Sequence, residues 1–304
     1  MRAPSLFLWY RKDKTLQDIS DNERQSLITE LDVVYGDGEP WYGFERLSPP
    51  TRETSSRSES VSITVRQGVK GSSLYFEYAS TLLNQRLVPP RAPPLHFSHD
   101  GRFKILQIAD LHFSVAAGPC RDPSSPCDGG AYAYTESLVE RALDAEKPDL
   151  VVFTGDQLNG QGTSWDAASV LAKFAAPVIS RRIPWAAVFG NHDDEDARDS
   201  GFRRDQVRFM QGLPYSLVQP GPEDIHGVGN YVLKVSSADA SKMHLLTLYF
   251  LDSGAYAAGI IDWFGFLRAT EYDYIHQDQI DWFLQESGVS LHVQFWLGLR
   301  ILCI

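Results

Sequence analysis

From about residue 103 onward, short apolar runs alternate with amphipathic stretches, and that alternation predicts strand, helix, strand, helix, strand. The runs are Phe103-Lys-Ile-Leu-Gln-Ile108, Leu150-Val-Val-Phe153 and Trp185-Ala-Ala-Val-Phe189. Runs without a polar face suit parallel strands covered on both sides. Between the first two, Thr135 is placed to cap a helix whose apolar stripe is Leu138, Val139, Ala142 and Leu143, with Pro148 stopping it. Before the third, Ser164 would cap a second helix carrying Val170, Leu171 and Phe174 on its apolar side, with Pro177 kinking or dividing it. Crossovers of this length give right-handed parallel βαβ units.

The flanks are patterned differently. Residues 1–95 hold strand-like pieces at 6–10, 27–35 and 61–65, and a Ser/Thr/Arg/Glu-rich stretch at 48–60 reads as a flexible loop. This is a β-rich N-terminal segment. His96 and His99 precede a hairpin signal, Asp100-Gly101, and read as surface residues. Beyond the third run, 203–211 suggests a short helix, and 231–235 and 244–251 suggest strands. Residues 278–286 suggest a helix with Ile280, Phe283 and Leu284 inward. The division is then 1–95, a main domain at 96–287, and an apolar, β-prone tail at 288–304.

Composition narrows the partners. The 304 residues allow one large domain or two modest ones, with chain enough for a sizeable core. A net charge of −11 argues against a nucleic-acid surface, which needs a basic footprint. An anionic phosphate substrate stays compatible, because a bound cation can supply the positive charge. No run of eighteen apolar residues occurs, so no membrane span is expected. Cys120 and Cys127 share a Gly/Pro/Ser-rich loop; they could close a small disulfide in an oxidising compartment, luminal or vacuolar, or remain two loop thiols. The absence of targeting signals leads to the expectation of a cytoplasmic protein, a disulfide to a luminal or vacuolar one, and the compartment stays open on sequence.

The chemistry sits where the apolar runs end. Asp110-Leu-His112 follows the first, Gly155-Asp156 the second, and Gly190-Asn-His-Asp193 completes the third. Ligand groups in open α/β sheets gather beyond the carboxyl ends of strands. Neighbouring strands would therefore bring Asp110, His112, Asp156, Asn191 and His192 to one edge. Oxygen and imidazole donors together suit hard or borderline divalent metals. If the backbone stays extended there, Asp110 and His112 share a face and can grip one metal together. Asp156 can bridge two metals, Asn191 offers a neutral oxygen to the second, and His192 is placed to donate a proton. Two metals so placed clamp a phosphate and activate a water. The acidic run beyond Asp193, at 194–196, reads as a solvated loop. His226, His244, His276 and His292 carry no ligand role on this reading. A flavodoxin-like nucleotide site is set aside, because Ala109-Asp-Leu-His-Phe113 replaces a Gly-rich loop after the first strand.

The three clusters, in this order, resemble the first motifs of the calcineurin-like metallophosphoesterases. Lys147-Pro-Asp-Leu-Val-Val-Phe-Thr-Gly-Asp156, Ile183-Pro-Trp-Ala-Ala-Val-Phe-Gly-Asn-His-Asp193 and His226-Gly-Val-Gly-Asn-Tyr231 are similar to a fungal branch of cell-cycle-regulator phosphatases, related to plant purple-acid-phosphatase-like proteins. The resemblance implies a four-layer α/β/β/α sandwich and two metal ions, variously manganese, iron or zinc. It implies Asp110, His112, Asp156 and Asn191 as metal ligands, and a catalytic His192 oriented by Asp193. The implied activity is metal-dependent hydrolysis of phosphomonoesters, small or on proteins. The family continues into further histidine motifs that this sequence lacks; the expectation is therefore an incomplete sandwich, truncated at the C-terminus, with an incomplete second metal site. The alternative is an impaired or inactive form that binds only a metal or a partner.

Overall fold

The computed structural model describes residues 28–36, 40–41, 43–47, 51–52, 60–67, 89–120, 127, 129–196, 202–255 and 272–290. The strand expected at 6–10 and most of the tail expected at 288–304 lie outside the described residues. So does most of the loop expected at 48–60, although Thr51–Arg52 is paired as a short strand.

The three apolar runs form the central sheet. Strands β5 (Ile105–Ile108), β6 (Leu150–Thr154) and β7 (Trp185–Val188) lie side by side in that order, all parallel, with Ile108 opposite Phe153 and Thr154 opposite Val188. Every residue of β6 and β7 is buried, which is why neither shows a polar alternation. One face meets helices α1 (Gly130–Glu146), α2 (Ala167–Ser180) and α3 (Phe202–Gln211). There Val151, Phe153, Trp185 and Ala187 pack with Val139, Leu143, Leu171, Phe174 and Met210. Phe153, Phe174 and Trp185 touch edge-to-face. The other face, Leu150, Val152, Ala186 and Val188, packs on an antiparallel pair, β8 (Tyr231–Ser236) and β9 (His244–Phe250). The Tyr231 hydroxyl donates to Ala187 O at 2.9 Å and pins the two sheets together. Beyond β9, α4 (Gln277–Ser290) presents Phe283 to Tyr249 at 4.8 Å. The order is helix, sheet, sheet, helix. Each apolar side chain buried between these layers stabilises by about 1.5–3 kcal/mol.

The N-terminal strands β1 (Ile28–Tyr35), β2 (Glu45–Arg46), β3 (Thr51–Arg52) and β4 (Ser60–Gln67) form a separate antiparallel sheet around β4. It docks on the helices: Tyr35 meets Trp165 at 4.6 Å, its N–H donates to Ser169 Oγ, and Trp41 meets Phe209.

Several local expectations change. Helix α1 starts at Gly130 after a left-handed Gly129, so Thr135 lies inside it and caps nothing. Leu138 is exposed and leaves the stripe to Val139 and Leu143. The cap of α2 is Asp166, which accepts from Ser169 N–H; Ser164 is buried and bonded to Phe113 O. Pro177 lies inside α2 without dividing it. In α4, Ile280 and Leu284 face outward and the fully buried residue is Gln279. These misplacements share a cause: a loop hydroxyl or a helix-spaced leucine reads alike whether its partner is backbone, core or water.

Candidate metal centre

The three clusters meet at the carboxyl ends of β5, β6 and β7. Beyond β5 and β6 the chains stay paired through turns: Asp110 N–H donates to Gly155 O, His112 N–H to Asp156 O, and Phe113 N–H to Gln157 O. Asp110, His112 and Asp156 all adopt left-handed backbone, with φ of 56°, 48° and 52°. The extended geometry expected for Asp110 and His112 is therefore replaced by a turn, and it is the turn that aims both side chains at one point. Non-glycine residues in this region cost roughly 1–3 kcal/mol each and persist where the surroundings impose them. Gly155 and Gly190 let the two loops touch: a Cβ on Gly155 would stand 2.9 Å from Gly190 Cα, and one on Gly190 would strike Asp156 Oδ1.

His112 Nε2 lies 3.6 Å from Asp110 Oδ1 and 3.7 Å from Asp156 Oδ2. His112, Asp156 and His192 each place a ligand atom within 4.8 Å of the others. The His112 and His192 rings stand 5.1 Å apart at 66°. Separations of 3.6–3.7 Å are too long for hydrogen bonds. They approach the spacing of donors around one cation, where bonds of about 2.0–2.2 Å set neighbouring ligand atoms roughly 3.3 Å apart. The donor set and its spacing fit a divalent metal. Asp110 is the rim member, its side chain 71% exposed. Asn191 is half-buried on the same loop, between Gly190, whose N–H donates to Asp193, and His192, whose N–H donates to Asp156 Oδ1.

Asp193 does not orient the His192 ring. Its buried carboxylate accepts the backbone N–H groups of Asp156, Leu158 and Gly190 at 2.7–3.0 Å and locks the two loops together. Burial pushes its carboxyl up to about 6, against those N–H groups and the charge of Arg203. The His192 ring turns instead to Glu195, with Nδ1 2.8 Å from Oε1. That contact is close but misaligned for a hydrogen bond, and Nδ1 is buried with no other acceptor.

The run at 194–196 is likewise structured and not a solvated loop. Asp194 pairs with Arg203, and Asp196 accepts from Gly162 and Ser164 N–H. Arg203 was missed in the sequence. It is buried, donates to Gly190 O at 2.7 Å, and pairs with Asp252 at 2.5 Å. Its only sequence signal is an arginine at a core-facing position of a short helix. A groove of about 570 Å³ opens beside His112, lined by Phe113, Tyr132, Asn159, Thr163 and Trp165 among others. Cys120, joined to Cys127 in a disulfide, forms part of its rim.

Among the described residues, a second group of three such side chains converges: His226, Asp273 and His276. Sequence gives His226 no ligand role and reads His276 as a surface residue; both are half-buried and share one carboxylate. His226 Nε2 is 2.9 Å from Asp273 Oδ2, and His276 Nε2 is 3.0 Å from Oδ1. The two rings are stacked 3.6 Å apart and parallel to within 2°. Burial pushes the Asp273 carboxyl up, but bonds from His276 and the Tyr274 N–H hold it below its ordinary value. Below this group lies a polar floor. Gln279 donates to Asn230 Oδ1 and Asp252 O, and Asn230 donates to His226 O.

The layered α/β fold and the His/Asp group at its parallel strand ends define a metallophosphoesterase architecture. The chain belongs to the calcineurin-like phosphoesterase family, whose model matches residues 103–297. It is 41% identical over 221 residues to Phosphatase DCR2 of Saccharomyces cerevisiae, covering 71% of this chain and 36% of that protein. It is also 40% identical over 204 residues to Probable inactive purple acid phosphatase 29 of Arabidopsis thaliana, covering 64% and 49%. Probable inactive purple acid phosphatase 14 of the same plant is 35% identical over 206 residues, covering 64% and 48%. The chain thus spans between about a third and a half of the length of these relatives. The family implies phosphoester hydrolysis and divalent metal ions, and the described residues include candidate His/Asp ligands. No helix among the described residues is long and apolar enough to cross a membrane.

Proposed function

We propose that this chain carries the site of a metal-dependent phosphomonoesterase, with His112, Asp156 and Asp110 holding the first cation. Asn191 and Asp156 would hold a second cation, and His192 would face the leaving oxygen. Manganese, iron and zinc all suit this donor set. The observation that carries the reading is the convergence of Asp110, His112 and Asp156 through left-handed turns, His112 at spacings too wide for hydrogen bonds to both carboxylates, with His192 beside them. Bound cations would supply the positive charge that draws a phosphate and acidifies a water.

The chain's own residues do the rest. Asp193 holds the Asp156 and Gly190 loops in register, so the donors are positioned before substrate arrives. His192 offers the one ring nitrogen not turned toward Glu195; when the ring carries protons on both nitrogens, the one on this side is placed to pass to the departing alkoxide. The groove beside His112, with Tyr132 and Trp165 in its walls, is of the size that accepts a small organic phosphate or a phosphorylated side chain. The Cys120–Cys127 disulfide suits an oxidising compartment.

Hydrolysis of p-nitrophenyl phosphate tests the reading, assayed with manganese, iron(II) or zinc added to metal-stripped chain. Activity that requires metal and disappears in Asp156→Asn supports it. Metal binding at Asp156 without turnover would favour the second reading, a site that binds a metal but does not catalyse; the names of two plant relatives favour keeping that reading in view.

A further inference from the structure

We propose that Glu195 is the positioning residue for His192, fixing which ring nitrogen is presented to the metal centre. The inference rests on the phosphoesterase reading for its kinetic consequence, but not for its structural one.

The four acids at 193–196 divide their tasks. Asp193 is committed to three backbone N–H groups, Asp194 to Arg203, and Asp196 to the N–H groups of Gly162 and Ser164. Glu195 alone of the four turns toward an imidazole, with Oε1 2.8 Å from His192 Nδ1. Its other oxygen is anchored, accepting the Gln161 N–H at 3.1 Å. The Glu195 N–H donates to His192 O at 3.3 Å, closing a tight turn that brings side chains three residues apart onto one side.

The facing loop is shaped around this carboxylate. Gly160 has φ +63°, and a Cβ there would stand 2.5 Å from Glu195 Oε2 and 2.9 Å from His192 O. Any other residue would drive Glu195 from its seat. Asn159, on the same loop, is engaged elsewhere, donating to Thr163 Oγ1. The His192 residue is therefore fixed on two sides: its backbone N–H binds Asp156 Oδ1, and its Nδ1 stands 2.8 Å from Glu195 Oε1. A carboxylate against Nδ1 selects the neutral-ring tautomer that carries the proton there, leaving Nε2 as the nitrogen that takes up and gives the transferable proton.

The test compares Glu195→Ala and Glu195→Gln with the unaltered chain, using Asp196→Ala as a control that loosens the same turn without touching the ring. Long-range ¹H–¹⁵N spectra of the full chain read the His192 tautomer directly and need no turnover. The expected result is a protonated Nδ1 in the unaltered chain and in Asp196→Ala, and a shift toward protonated Nε2 in Glu195→Ala. With p-nitrophenyl phosphate, Glu195→Ala should lower kcat by about 10–100-fold, KM moving less, and Glu195→Gln should fall between. An unchanged His192 tautomer in Glu195→Ala overturns the proposal. So does a tautomer change matched by Asp196→Ala, which would mark a merely structural role. If the unaltered chain shows no turnover, the phosphoesterase reading fails by itself and the tautomer still decides the role of Glu195.

Discussion

Two groups of nearly the same composition, both imidazole with carboxylate, stand at different places in this fold and are built for different chemistry. At the parallel strand ends, His112 keeps 3.6–3.7 Å from its carboxylates, and the facing rings cross at 66°. Where the loop before β8 meets the loop before α4, His226 and His276 sit at hydrogen-bond distance from Asp273, their rings parallel and in contact. A cation is bound through lone pairs lying in each ring plane, and two parallel stacked planes share no such point. The first group is spaced for a metal; the second is closed by hydrogen bonds to Asp273. Residue type alone does not distinguish them; separation and ring angle do.

The comparison can be broken most severely at Asp156. Asp156→Asn should weaken metal binding by at least about 100-fold and bring phosphate-ester hydrolysis to background, read by equilibrium dialysis and the chromogenic assay. Arg203 joins the two regions, donating to Gly190 O on one side and pairing with Asp252 on the other. Arg203→Met leaves Asp252 unpaired in the core, and should cost about 3–5 kcal/mol in denaturant unfolding. Asp193 gives a pH signature. Its carboxyl is raised from 3.8 to about 6 by burial, so its contribution to stability is full below pH 4 and is lost as pH rises through 6. Melting of the metal-stripped chain between pH 4 and 7 should show this decline, up to about 3 kcal/mol, and Asp193→Asn should flatten it. The smallest effect is at the second group. His226→Ala and His276→Ala should each cost about 1 kcal/mol, and should leave metal stoichiometry unchanged.

Much of this was legible in the sequence, for a physical reason. A strand buried on both faces must be a short apolar run, and Leu150-Val-Val-Phe153 and Trp185-Ala-Ala-Val188 admit little else. Polar residues directly after such runs are placed by the sheet, so the meeting of Asp110, His112, Asp156 and His192 followed from strand order. What escaped was set by tertiary partners. Glu195 and Asp196 look like a solvated acidic run until the loop at 159–164 packs against them. Arg203 sits in a helix of ordinary appearance, and only Asp252, 49 residues later, shows why it is buried. The resemblance implied that Asp193 orients His192; its carboxylate instead accepts the backbone N–H groups of Asp156, Leu158 and Gly190. The left-handed turn at Asp110 and His112 carries no glycine to announce it, because the strain is imposed by paired backbone on the neighbouring loop.

The distinction between the two groups is tested most directly by titrating zinc into the metal-stripped chain while following every imidazole nitrogen by ¹⁵N shift. The account predicts that His112 Nε2 responds first and saturates, while His226 and His276 keep their protons and their shifts. Zinc taken up first by His226 and His276, with His112 unmoved, would contradict it.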